Sequence, residues 1–211
     1  LLNKQVFPKV QINQDFLFYN FIEGKNFYDV VSPPIFQNFL SWCDKKLWKV
    51  SNKDKNFKIS CKKFYLDKTK ERLKLFMKQN NFKVDKFKSV NEVNVPSINF
   101  LLKKIDFKTL YDGIPTFIHG DLQFDNILIS RNQNFKLIDW RPDFGGLLNK
   151  GDLHYDIAKL LGGILINYKM IKKNKFSYKN INNKIYFQVP SSKSKKLLIS
   201  IIKKFCLKKK I

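Results

Sequence analysis

Arginine is almost absent from a chain with 41 basic residues: only Arg72, Arg131 and Arg141. Alanine occurs once, at Ala158, in 211 residues. The net charge of +24 suggests a nucleic-acid or membrane partner. The shortage of arginine argues against specific base reading, which favours the bidentate guanidinium fork. The abundance of Lys, Asn, Phe and Ile reads instead as compositional drift on a solvated surface, so no specific nucleic acid is expected. The three cysteines, Cys43, Cys61 and Cys206, are far apart and odd in number. They form neither a disulfide framework nor a metal motif, and a reducing, cytoplasmic setting fits them. The longest apolar run, around Ile157 to Ile171, is broken by Lys159 and Lys169, so no membrane span is expected. No secretory leader is visible.

What is present is apolar material for a core. Hydrophobic residues make up 44% of the chain, including 21 Phe, which excludes general disorder. The length fits one ordinary domain. "KVQINQDFLFYNFIEG", Lys9 to Gly24, alternates as two short antiparallel strands. Ile35 to Leu47 carries apolar residues at helical spacing, behind Pro33 and Pro34. A second helix is predicted over Ser60 to Gln79, and the polar stretch after it as loop. Ser97 is placed to cap a helix over "INFLLKKI". "NILIS" and "FKLIDW" predict two strands, Asn126 to Ser130 and Phe135 to Ile138, joined through "RNQN". A helix follows from about Leu153, and a basic one from about Lys193 to Lys204. "YFQVP" reads as extended. The expectation is α+β and mostly helical, with short β-hairpins.

Acids are also scarce, and they are concentrated. Seven of the 17 fall between Asp112 and Asp156, and all seven are Asp. From Ile157 to Ile211 there is none. Crowded carboxylates repel one another unless a cation or hydrogen bonds offset them. The segment reads "FIHGDLQFDNILIS", with His119, Asp121 and Asn126, and Asp139 follows at the end of the next strand. Phosphoryl transfer needs these parts: a carboxylate for the attacking hydroxyl, and an amide oxygen and a second carboxylate for magnesium. A hairpin between Asn126 and Asp139 would return the second carboxylate beside the first. Asp125 and Asp143 read as solvated or capping residues, and Asp152 as a possible helix cap. Arg141 could bind a phosphate or an acidic substrate, or form a structural salt bridge. Trp140 reads as core.

"HGDLQFDN" followed by "IDW" resembles the catalytic and metal motifs of the aminoglycoside phosphotransferase and choline/ethanolamine kinase superfamily, which has the protein-kinase-like fold. "GDLHYDIAKL" resembles a third motif, and "FYNFIEGKNF" the last strand of the small lobe and its hinge. The matches span roughly Phe16 to Ile166. The resemblance implies that Asp121 is the catalytic base. It implies that Asn126 and Asp139 bind Mg2+, and that Phe21, Ile22 and Glu23 offer backbone groups to ATP. It gives His119 and Asp156 supporting roles around the catalytic loop. Residues 1–24 would be a remnant of the N-lobe and 25–211 the helical C-lobe. The expected activity is transfer of the ATP γ-phosphate to a hydroxyl of a small molecule, such as choline, ethanolamine, a sugar or an aminoglycoside-like compound.

The sequence departs from that pattern at its start. No glycine precedes Gly24, and only about 20 residues precede the hinge. The phosphate-covering loop and strand lysine are therefore unaccounted for, and the chain opens on Leu1 rather than Met. A partial sequence of a longer kinase is the expectation. The alternative is a non-catalytic kinase-like binding module without the ATP-binding lobe.

Overall fold

The computed structural model describes residues 10–13, 16–52, 55–79, 88–130 and 134–211. The fold is α+β, about half helical, with several small sheets. Among the described residues no helix is long and apolar enough to cross a membrane.

Strands β1 (Val10–Asn13) and β2 (Phe16–Tyr19) form an antiparallel pair. Residues 14 and 15, which join the two strands expected between Lys9 and Gly24, lie outside the described residues. The short strand β3 (Lys25–Asn26) runs into α1 (Phe27–Val30). Helix α2 (Pro33–Trp42) begins two residues before the predicted start. Pro33 and Pro34 occupy its first turn, where no backbone donor is lost. A π-helical turn, Cys43–Leu47, carries it to the predicted end.

The second long helix starts earlier than the sequence suggested. It comprises α3 (Lys55–Lys62), a π-helical stretch (Lys63–Asp67) and α4 (Lys68–Gln79). Phe57, Cys61 and Phe64 are buried at helical spacing. That apolar face extends the helix through a Lys- and Asn-rich start that reads as linker.

The sequence predicts neither of two hairpins, only that "YFQVP" is extended, and Tyr186 to Gln188 do lie in a strand. Strands β4 (Ser89–Val90) and β5 (Val93–Asn94) turn through Asn91 and Glu92, both at positive φ. Later, β10 (Ser177–Ile181) and β11 (Lys184–Gln188) turn through Asn182 and Asn183, also at positive φ. Asparagine tolerates the left-handed region that such turns demand. The four strands make one sheet, in which β11 runs parallel to β4.

Ser97 caps α5 (Ile98–Lys104), accepting the backbone N–H of Phe100, and α6 (Phe107–Leu110) follows. Strand β6 (Pro115–Thr116) pairs with β9 (Gly151–Asp152). A short 3-10 turn, Phe124–Asn126, precedes β7 (Ile127–Ile129), which pairs with β8 (Phe135–Leu137) and with β3. Helix α7 (Leu153–Leu165), then α8 (Tyr168–Lys172) and α9 (Lys195–Lys209) complete the chain.

The main core is built from rings. Phe27 meets Phe124 edge-on at 4.9 Å and Phe39 meets Phe135 at 5.0 Å. Each fully buried Phe contributes roughly 1.5–3 kcal/mol relative to an exposed one. Helix α7 adds Ile157, Leu160 and Ile164, and α9 adds Leu198 and Ile202. Gly163 lets α7 approach the Phe124 ring: a Cβ there would stand 3.2 Å from it. A second cluster joins Phe57, Cys61 and Phe64 to Phe144. The residues between β6 and β9 in sequence contribute to both: Leu122, Phe124, Ile127, Phe135 and Leu137 to the first and Phe144 to the second.

Candidate functional site

The segment His119 to Asn126 is held from two sides. On one side is Asp156, fully buried in the first turn of α7. Its Oδ2 accepts the backbone N–H of His119 at 2.9 Å, and its Oδ1 accepts that of Gly120 at 2.8 Å. Trp48 Nε1 donates a third bond to Oδ2 at 3.0 Å. Burial pushes the Asp156 carboxyl up to about 6, although the three donors favour its charged form.

On the other side is Arg141. Its backbone N–H donates to His119 O at 3.1 Å, and its Nε donates to Gly120 O at 2.8 Å. Gly120 has φ +79°, and a Cβ at that position would stand 2.6 Å from Arg141 Cβ. Glycine is required at this turn for both reasons.

His119 is a neutral structural imidazole. Nε2 donates to Ile138 O at 2.9 Å, so Nδ1 is the acceptor for Asp121 N–H at 3.2 Å. Burial lowers its pKa to about 4. Trp140 packs against it, with ring centroids 4.5 Å apart.

These bonds place the sequence-selected residues. Asn126 Nδ2 donates to Asp121 O at 2.9 Å, with Asp121 Oδ2 a further 3.4 Å contact. Ile138 N donates to Asn126 O at 3.1 Å while Ile138 O holds His119. Asp139, the next residue, is thereby brought to the loop that carries Asp121 and Asn126. It is exposed and at φ +58°, a left-handed conformation that Asp adopts more readily than most residues. The charges of Asp121 and Asp139 both act to raise the proton affinity of His119. Asp121, Asn126 and Asp139 thus share one neighbourhood.

Lys159, which sequence reasoning passed over, stands in the site. Its Nζ is 2.6 Å from Asp121 Oδ1. Burial, the largest influence, lowers its pKa, but the bond to Asp121 together with the nearby Tyr155 and the Asp121 charge outweighs it, and the net shift is upward. Its sequence signal was its position three residues after Asp156, on a helix that already faced the loop. Trp48 had no such signal.

Phe21, Ile22 and Glu23, the residues expected at a hinge, lie between β2 and β3. Phe21 is 90% exposed. Phe21 and Glu23 border a hollow of about 800 Å³, whose floor includes Ile35, Ile129 and Phe135. Ile22 is outside that lining. The remaining acids have local duties. Asp152 caps α7 through His154 N–H and accepts Tyr65 Oη at 2.7 Å and Ile114 N–H at 2.9 Å. Asp143 accepts Gly146 N–H, and Asp125 pairs with Lys172.

The donor set suits a hard divalent cation. Asp121 and Asp139 carry carboxylate oxygens, and Asn126 spends its amide nitrogen on Asp121, so its amide oxygen is the atom it could offer to a cation. Among the described residues, no three His, Cys, Asp or Glu side chains group closely enough to hold a metal by themselves. No protein-family model, no curated protein and no solved structure matches the chain.

Proposed function

We propose that this chain is the catalytic part of a kinase-like phosphotransferase, moving the γ-phosphate of ATP to a hydroxyl of a small molecule. The observation that carries the reading is the Asp121–Asn126 hydrogen bond beside Asp139, on a loop fixed by Asp156 and Arg141. Asp121 meets the acceptor hydroxyl and takes its proton. Its Oδ1 is engaged by Lys159, so Oδ2 is the oxygen that faces the acceptor. Asn126 and Asp139 hold Mg2+, which when bound neutralises charge on the phosphates. The apolar hollow beside Phe21 and Glu23 receives the adenine. Ile129, which lines the hollow, is three residues along from Asn126, about 10 Å in extended chain, a span for an extended nucleotide.

The test is Mg2+ titration of the chain with and without ATP, read by calorimetry after subtraction of the heat of Mg2+ binding to ATP alone. Magnesium binding that strengthens when ATP is present, and that is lost in Asp139→Ala, supports the reading. Magnesium binding with no dependence on ATP removes it.

The second reading is a non-catalytic binding module. The close Lys159–Asp121 ion pair favours it, because a carboxylate tied to lysine can serve architecture alone. In that case ATP leaves the magnesium titration unchanged.

A further inference from the structure

The last helix, α9, has a face that the fold does not cover. Leu198 and Ile202 are buried on its inner side, and Ile199, Ile201 and Phe205 pack beside them in the core shared with α2 and α7. The outer side is an arc of about 140°, at 3.6 residues per turn. It carries Lys196, Lys203, Lys204 and Lys208, all exposed. Leu197 and Leu207 lie in the same arc, 59% and 78% exposed, in one row with Ser200 and Lys204. A single exposed leucine is ordinary on a protein surface. Two of them among these lysines make an amphipathic strip roughly 18 Å long, from Lys196 to Lys208 along the helix.

The charge of this strip is not answered within the chain. The flanking lysines turn inward: Lys195 Nζ donates to Leu165 O at 3.0 Å, and Lys209 pairs with Asp44 at 2.7 Å. Among the described residues, Lys196, Lys203, Lys204 and Lys208 have no carboxylate partner. The helices under α9 bring no opposing charge. Helix α2 contains no acid, and the acid of α7, Asp156, is fully buried. No acid occurs from Ile157 to Ile211. General lysine enrichment does not by itself give such a face: α4, also rich in lysine, follows Asp67 and carries Glu71 in its first turn.

We propose that the outer face of α9 docks on an anionic lipid surface. The helix lies flat, with its lysines among the headgroup phosphates and its two leucines directed to the acyl boundary. Lys204, between the leucines, reaches back to the headgroups on its long apolar stem. A lipid surface matches both halves of the strip, the charge and the apolar carbon. Nucleic acid matches only one. Its phosphates would meet the lysines and leave the leucines against charge, and the strip has no arginine, amide or aromatic side chain to contact a base. The attachment is peripheral and reversible, because a few lysines and two leucines give surface binding rather than insertion. It does not depend on the phosphotransfer reading.

The experiment is sedimentation of the full chain with vesicles in about 0.1 M salt, where only close charges act strongly. One vesicle is phosphatidylcholine alone, and the other contains about a third phosphatidylglycerol as anionic lipid. The expected result is partition onto the anionic vesicles, with about tenfold less onto the neutral ones. Lys203→Gln with Lys204→Gln should weaken that partition about 25-fold, roughly fivefold for each lysine. Lys70→Gln with Lys74→Gln makes the same change in net charge on α4, outside the core that seats α9, and should weaken it less than about twofold. Leu197→Ser with Leu207→Ser should weaken it about tenfold, and both side chains are exposed, so the fold is kept. Binding of the same proteins to a DNA duplex should not respond to the leucine pair. No partition onto anionic vesicles overturns the proposal, and so does unchanged partition in the leucine variant. An equal loss from the two lysine pairs also overturns it, since that would show only the general pull of a basic chain. Loss of DNA binding, but not of vesicle binding, in Lys203→Gln with Lys204→Gln would make this a nucleic-acid face instead.

Discussion

Asp156 and His119 are neighbours whose proton affinities are displaced in opposite directions. The Asp156 carboxylate accepts the His119 backbone N–H at 2.9 Å, from full burial. Burial raises Asp156 from 3.8 to about 6 and lowers His119 from 6.5 to about 4. One environment disfavours both charges.

The consequence for stability is a near cancellation. His119 binds its proton more weakly when folded. Its contribution is complete above pH 6.5 and is lost as pH falls toward about 4. Asp156 binds its proton more tightly when folded. Its contribution is complete below pH 3.8 and is lost as pH rises through about 6. Each spans roughly 3 kcal/mol across its window, with opposite sign between pH 4 and 6. Relative to wild type, His119→Gln should therefore gain stability as pH falls through that window. Asp156→Asn should lose it more steeply. Urea midpoints at half-unit pH steps decide this; parallel curves for all three proteins would reject it.

Trp48 reaches the same carboxylate from 108 residues away in sequence. Trp48→Phe keeps an aromatic ring in this buried place and removes the donor, with some loss of volume. The cost should be about 1.5–3 kcal/mol, the value of a hydrogen bond to a charged group. The Asp156 carboxyl should rise further, because a bond that favours its charged form is gone. A denaturation midpoint and a carbon-detected carboxyl titration measure the two effects. An unchanged Asp156 titration would mean that Trp48 Nε1 does not hold it in solution.

Gly120 and Gly146 separate strain from crowding. Both have positive φ, +79° and +94°. A Cβ at Gly120 would meet Arg141, whereas one at Gly146 would meet nothing within 4 Å. Gly146→Ala should cost on the order of 1 kcal/mol, the backbone effect alone. Gly120→Ala should cost clearly more and should disturb the Arg141 signals. Equal costs would mean that Arg141 yields freely, which would weaken its place as a clamp on the loop.

Much of this was readable because it is local. Pro33, Pro34 and the spacing of Ile35, Phe36, Phe39 and Leu40 encode α2 without help from the rest of the chain. Ser97 announces α5. The two apolar runs around "RNQN" encode β7 and β8, although residues 131–133 of that turn lie outside the described ones. Asp121, Asn126 and Asp139 could be selected because a carboxylate-poor chain concentrates acids there. What was not readable joins distant segments. Trp48 to Asp156, Tyr65 to Asp152 and β4 to β11 have no periodic signature, since burial and tertiary pairing create them. Lys159 fell between the two cases. It lies on a readable helix, but its partner depends on how that helix docks.

Asp121 and Asp139 should fail differently when neutralised. Asp139 sits at φ +58°, and asparagine is among the residues that best accept that conformation. Asp139→Asn should therefore fold normally, so any loss can be assigned to charge. A neutral amide is a poorer ligand for a hard cation, so this variant should need more magnesium and bind Mg-ATP more weakly. Asp121→Asn keeps the shape of the site but leaves Lys159 without its partner carboxylate, and the raised Lys159 pKa should fall. Its Mg-ATP affinity should stay near that of the parent, because the role proposed for Asp121 is with the hydroxyl during transfer. Calorimetry of Mg-ATP binding and a Lys159 ammonium titration, run on both variants, separate the two roles. If Asp139→Asn binds Mg-ATP like the parent while Asp121→Asn does not, the assignments are reversed. If both bind like the parent, neither carboxylate holds the metal and the phosphotransfer reading falls with them.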